Sequence, residues 1–99
     1  MTQYDLQFAL ASVYAERASV ATALARCARA QGCPVGFAVD PKEPAWPVLF
    51  IELPTGQVSW HFSEADRHLL ASDIGEYHGQ WDGHTTEEKY DRLMKWRPC

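Results

Sequence analysis

Between Val48 and Phe62 two apolar runs flank a proline–glycine turn, a pattern that commits the middle of the chain to an antiparallel hairpin. Val48-Leu-Phe-Ile-Glu-Leu53 has strand composition, Pro54-Thr-Gly56 offers a turn with glycine free to take positive φ, and Gln57-Val-Ser-Trp-His-Phe62 returns. On the returning strand Val58, Trp60 and Phe62 share one face, and Gln57, Ser59 and His61 share the other. Val35-Gly-Phe-Ala-Val39 alternates like a further strand. The connection Asp40-Pro-Lys-Glu-Pro-Ala-Trp-Pro47, interrupted by proline at 41, 44 and 47, is read as irregular.

Upstream the period changes from two to between three and four. Thr2–Asp5 caps a helix on which Leu6, Leu10, Val13, Val20, Leu24 and Cys27 form the apolar stripe, broken by Arg17 and ended by Gly32 and Pro34. Run without a break it is about 40 Å long, longer than a small domain is wide. It is therefore expected either to break near Ala15–Ser19 or to project; the stripe is read first as core packing, with a homodimer seam as the alternative that a projecting helix invites. Downstream, Ser63-Glu-Ala-Asp66 caps a short helix over Glu64–Ser72 anchored by Leu69 and Leu70. A Gly75–His84 loop follows. Thr85-Thr-Glu-Glu88 then caps a last helix to Trp96, with Tyr90, Leu93 and Met94 spaced to face a core. The fold expected is α+β: a long N-terminal helix, a three-stranded antiparallel sheet and two short C-terminal helices, with the helices on one sheet face and residues 1–99 forming one domain.

Charge narrows the function classes. The net charge is −4, and residues 51–99 hold all of the excess, nine acids against five bases. Within His61–Glu88 seven acids stand against the single base Arg67, which excludes a phosphate-binding surface there and leaves no direct role with nucleic acid. Three cysteines (27, 33 and 99) without a CxxC pair argue against a disulfide framework and a cysteine zinc site, leaving Cys27 and Cys33 as small core residues. Tyr4, Asp5 and Gln7 interrupt any signal-like apolar run, and Glu16, Arg17, Arg26 and Arg29 interrupt any membrane span, so a cytoplasmic chain with no membrane partner is expected.

Chemistry concentrates in the run Glu76–Tyr90, since all four histidines lie between His61 and His84. His78, Asp82 and His84, with His61 as a fourth ligand, offer imidazole and carboxylate donors for a divalent metal such as zinc, although the spacing matches no established ligand signature. Alternatively Asp82 orients His84 or His78 toward a hydroxyl from Ser59, Ser63, Thr85 or Thr86, giving acid–base or nucleophilic chemistry of a small hydrolase. GxSxG, Walker A and GxGxxG motifs are all absent. A third use is recognition. Trp46, Tyr77 and Trp81, with Asp82, Glu87 and Glu88, supply aromatic anchors and an acidic rim suited to a basic protein partner, whereas Trp60 and Tyr90 are read as core.

Two stretches carry a resemblance: Pro34–His61, with its "PTGQVSWH" hairpin, and Gly79–Arg92, with "WDGHTTEEKY". Together they resemble a group of small proteins carried by phages and prophages of bacteria, a likeness that does not extend to the first helix. It implies an accessory protein acting in the cytoplasm of an infected host cell. By analogy with small acidic phage proteins, it implies binding and inhibition of a host protein machine, such as an anti-CRISPR or other anti-defence role without a cofactor.

Overall fold

A computed structural model describes residues 3–69 and 73–96, with residues 3–14, 43 and 64 described by backbone alone. The architecture is α+β. Helix α1 (Gln3–Ala30) leads into strands β1 (Val35–Asp40), β2 (Glu43–Leu53) and β3 (Gly56–His61), then a 3-10 turn (Glu64–Leu69) and helix α2 (Thr86–Lys95). The sheet is antiparallel in the order β1-β2-β3.

The expected break in α1 does not occur: 28 residues run continuously, and the molecule's longest dimension is 44 Å. The helix ends in a glycine motif in which Gly32 takes φ +88°. There Gly32 N–H donates to Arg29 O at 2.9 Å and Cys33 N–H reaches back to Ala28 O at 2.9 Å, satisfying carbonyls that the helix leaves open. Among its described side chains, those that are fully buried are small. Ala18, Ala21, Thr22, Ala25 and Ala28 are buried, Leu24 and Cys27 flank them, and Val20 faces solvent. Small side chains let the helix axis come close to the sheet, so the alanines are the contact and the bulk comes from the strands. Leu49, Ile51, Val58 and Phe62 are the largest fully buried side chains, each contributing about 1.5–3 kcal/mol by burial. Leu6, Leu10, Val13, Leu70 and the Thr2–Asp5 cap lie outside the described side chains. Cys27 is disulfide-bonded and Cys33 is free, so the odd cysteine count did not preclude a bridge.

The proline-rich connection is more ordered than expected. β1 turns into β2 through Pro41–Lys42, with Lys42 N–H donating to Asp40 Oδ1 at 2.9 Å. β2 then starts at Glu43. The register jumps from Val39↔Pro47 to Asp40↔Glu43, so Pro44–Trp46 form a bulge on the far side of which β3 does not yet pair. Prolines are tolerated there because no ladder hydrogen bond is asked of their nitrogens.

Helix α1 covers one sheet face. Val35, Phe37, Leu49, Ile51, Leu53 and Val58 join the core with α1. The opposite face presents Gly36, Ala38, Val48, Phe50, Glu52, Gln57, Ser59 and His61, aligned by the register pairs Val48↔His61, Phe50↔Ser59 and Glu52↔Gln57. The sheet edges are covered too. A parallel bridge, Phe37 N–H to Gly75 O at 2.9 Å and Tyr77 N–H to Phe37 O at 2.8 Å, covers β1. Along β3, alternate carbonyls are held by three cations: Gln57 O by Arg92 Nη1 at 2.7 Å, Ser59 O by Lys89 Nζ at 3.1 Å and His61 O by Arg17 Nη2 at 3.1 Å. Each contact removes an acceptor that a foreign strand would pair with.

Because α2 lies along the β3 edge, its Arg92 and Lys89 face inward, while Tyr90 and Met94, expected in the core, are exposed and Leu93 is only partly buried. Trp96 closes the helix, buried, with its indole N–H on Gln31 Oε1 at 3.1 Å. Among the described residues no helix is long and apolar enough to cross a membrane.

A candidate hydroxyl–imidazole–carboxylate site

Four consecutive residues, Trp81-Asp82-Gly83-His84, fold back onto the polar face of the hairpin. Asp82 begins the turn by accepting His84 N–H at 3.0 Å, and Gly83 takes φ +81°, a conformation that costs glycine nothing. The turn is tied to the sheet through Gln57, which is buried on the β3 strand. Its Oε1 accepts Asp82 N–H at 3.0 Å, while its amide nitrogen donates to Gln80 O at 2.8 Å and Glu52 Oε1 at 2.8 Å. Tyr77 stacks on Phe50 with ring centroids 4.3 Å apart and donates its hydroxyl to Glu52. Burial, then the hydrogen bond to the Glu52 carboxylate, raises that phenol to about 12, so it stays protonated across the physiological range.

The fold-back places His84 beside Ser59. His84 Nε2 lies 3.1 Å from Ser59 Oγ, and His84 Nδ1 lies 2.7 Å from Asp82 Oδ1. Only a tautomer with the proton on Nδ1 suits both neighbours: it donates to the carboxylate and leaves Nε2 to accept the serine proton. The His84 side chain is 4% exposed. Arg92 Nη1 holds the other Asp82 oxygen at 2.9 Å. Burial pushes the Asp82 carboxyl upward, but hydrogen bonds from the His84 ring and backbone and from Arg92 outweigh it and hold the group below the ordinary aspartate range.

A depressed carboxyl stabilises the fold above its unfolded value, and that contribution is lost as pH falls through the folded value. Thermal stability is therefore expected to drop as pH falls below the ordinary aspartate value of about 3.9. Asp82→Asn should flatten part of that drop in melts recorded across the range. An identical pH profile would show that Asp82 does not carry it.

Ser59 and His84 open on a cavity of about 540 Å³ that is also lined by Val48, Phe50, His61 and Trp81. Trp81 is 60% exposed at its rim and meets His84 edge-on, with centroids 6.0 Å apart. Thr85, the N-cap of α2, and Thr86, its first residue, line the same space.

The other sequence candidates disperse. His61 lies in the same cavity but pairs with Asp40. His78 is exposed and borders a separate, smaller cavity with Glu52 and Glu76. Among the described residues no group of three histidine, cysteine, aspartate or glutamate side chains gathers as a metal site, so His61, His78, Asp82 and His84 do not meet around one point. Trp46 is half-buried in the β2 bulge, away from the cavity. Glu88 is used in the capping box with Thr85 and Glu87 faces solvent. The acidic segment is also less exposed in charge than its sequence suggests, because Arg26 and Arg29 reach Asp73, and Arg92 reaches Asp82 and Glu88. Lys89, Arg92, Gln57 and Glu52 were missed as site residues. Gln57 could have been found from its place two residues before Ser59 on the polar face of a strand, and Lys89 and Arg92 from their i,i+3 spacing on one helix face.

The fold and site thus define an α+β domain with a hydroxyl–imidazole–carboxylate relay at the floor of a sheet-face cavity. The chain belongs to the WDGH domain family, whose model matches residues 2–96, first helix included. No curated protein and no solved structure matches it.

Proposed function

We propose that this domain is a small serine-type hydrolase acting on acyl esters or chemically related acyl compounds. Ser59 is the nucleophile, His84 its general base and Asp82 the group that fixes the imidazole. The observation that carries this is the contact sequence Ser59 Oγ–His84 Nε2 at 3.1 Å and His84 Nδ1–Asp82 Oδ1 at 2.7 Å, with the serine opening on a cavity sized for a small molecule. In the first step Ser59 Oγ bonds to the acyl carbon as its proton passes to His84 Nε2. Asp82 stabilises the imidazolium so formed. The leaving alcohol departs with a proton, and water then releases the acid and restores Ser59.

Treatment with a fluorophosphonate probe is expected to modify the wild-type protein once, at Ser59, as read by intact mass and peptide mapping, and to leave Ser59→Ala unmodified. Modification elsewhere, or none, would overturn the assignment.

A second function draws on a different observation, the outward-facing Trp81, Tyr90 and Met94 beside Glu87. These residues suit docking of a small phage-type accessory protein to a basic surface of a host protein machine, with inhibition as the outcome. Trp81→Ala combined with Glu87→Lys should then lose a protein captured by the wild type from bacterial lysate. An unchanged captured set would dispose of that surface.

A further inference from the structure

Two histidines line the cavity, each paired with a carboxylate. His84 with Asp82 forms the relay, while His61 Nε2 lies 3.4 Å from Asp40 Oδ2, and both histidines line the same space as Ser59. Ser59 and His61 alternate on one face of β3, so their Cα atoms stand about 6.6 Å apart along the strand, near enough for one small substrate to touch both.

The two histidines differ in access. Both ring nitrogens of His84 are occupied, one by Asp82 and one by Ser59, and its side chain is 4% exposed. The His61 side chain is 50% exposed and uses only Nε2 among the described residues, which leaves Nδ1 open to whatever fills the cavity. Asp40, held at the β1–β2 turn by Lys42 N–H, lies against Nε2 and fixes the orientation of that ring.

We infer that His61, positioned by Asp40, is the general acid that protonates the leaving group, an inference that rests on the hydrolase function proposed above. His84, sunk beneath Ser59, takes the serine proton. His61, on the open side, gives a proton to the departing oxygen as the acyl–oxygen bond breaks and the Ser59 Oγ–acyl bond forms. In the second half, neutral His61 takes a proton from the attacking water, and the His84 imidazolium returns its proton to Ser59 Oγ. The sum is ester and water to acid and alcohol, with both imidazoles restored.

Leaving-group dependence separates this role from a structural one, because a good leaving group needs little protonation and a poor one needs much. Ethyl butyrate and p-nitrophenyl butyrate share an acyl group. For wild type, His61→Ala and Asp40→Asn, the readout is the ratio of kcat/KM on the ethyl ester to that on the p-nitrophenyl ester. His61→Ala should lower that ratio about 100-fold, and Asp40→Asn should lower it by less. A fall of both rates by the same factor, or no change in the ratio, overturns the assignment of His61 while leaving Ser59 and His84 in place. Wild-type protein that turns over neither ester, or turnover that survives Ser59→Ala, overturns the hydrolase function and this inference with it.

Discussion

Replacing His84 with alanine is expected to lower kcat/KM on an activated ester by about 10³- to 10⁴-fold, because the Ser59 hydroxyl loses the imidazole that lies 3.1 Å from it. Ser59→Ala should fall as far. The double variant should fall no further, since a relay fails as a unit and single losses do not add. The His84 side chain is almost wholly enclosed, so His84→Gln serves as a companion that keeps bulk and a hydrogen-bonding end group while removing the base. Far-UV circular dichroism of each variant establishes that the fold is intact before rates are compared. A folded His84→Gln protein with near wild-type kcat/KM would remove the imidazole from the chemistry and leave the Trp81–His84 turn as a structural clasp.

The second large effect is expected at Gly36, far from the reacting atoms. A Cβ at this position of β1 would stand 2.6 Å from the Tyr77 backbone nitrogen, 2.7 Å from Tyr77 Cα and 2.8 Å from the Glu76 carbonyl carbon. All three are backbone atoms, so relief requires the 75–77 segment to move off the strand, with loss of its bridge to Phe37 and of Tyr77 from its stack on Phe50. Gly36→Ala should cost at least about 1–3 kcal/mol as an overpacked contact, which corresponds to roughly 4–8 °C in Tm for each kcal/mol in a domain of this size. Gly75→Ala is the control: an added Cβ there meets nothing within 4 Å, and its melting temperature should stay close to wild type. Equal melting of both variants would show that the crossing is not held by this close approach.

These two expectations divide along what could be read from the chain. The Pro54–Gly56 hairpin, the Thr85 cap and the glycine end of α1 are local signals, set by neighbours within a turn or two, and each forms as its sequence suggests. Ser59, Asp82 and His84 could be named as candidates by residue type. Their assembly could not, because Ser59 and His84 are 25 positions apart and meet only once Gln57 has bound the intervening loop. The helix faces misled for a related reason. Hydrophobic periodicity finds the bulkiest stripe, whereas α1 docks through alanines and α2 through the long side chains of Lys89 and Arg92. In the Pro41–Pro47 stretch, local preference against regular structure was overridden by pairing with β1 on one side only.

The cation-held edge of β3 has a mechanical consequence. Ser59 and His61 line the cavity, Gln57 holds the turn beside it, and the carbonyls of these three residues are gripped by Lys89, Arg17 and Arg92 respectively. An outermost strand is ordinarily the most pliable part of a sheet, yet here alternate residues of β3 are clamped at their own backbone by side chains of α1 and α2. Docking of α1 and α2 therefore sets the spacing of Ser59 and His61, so a surface change that loosens either helix reaches the cavity through the main chain of β3.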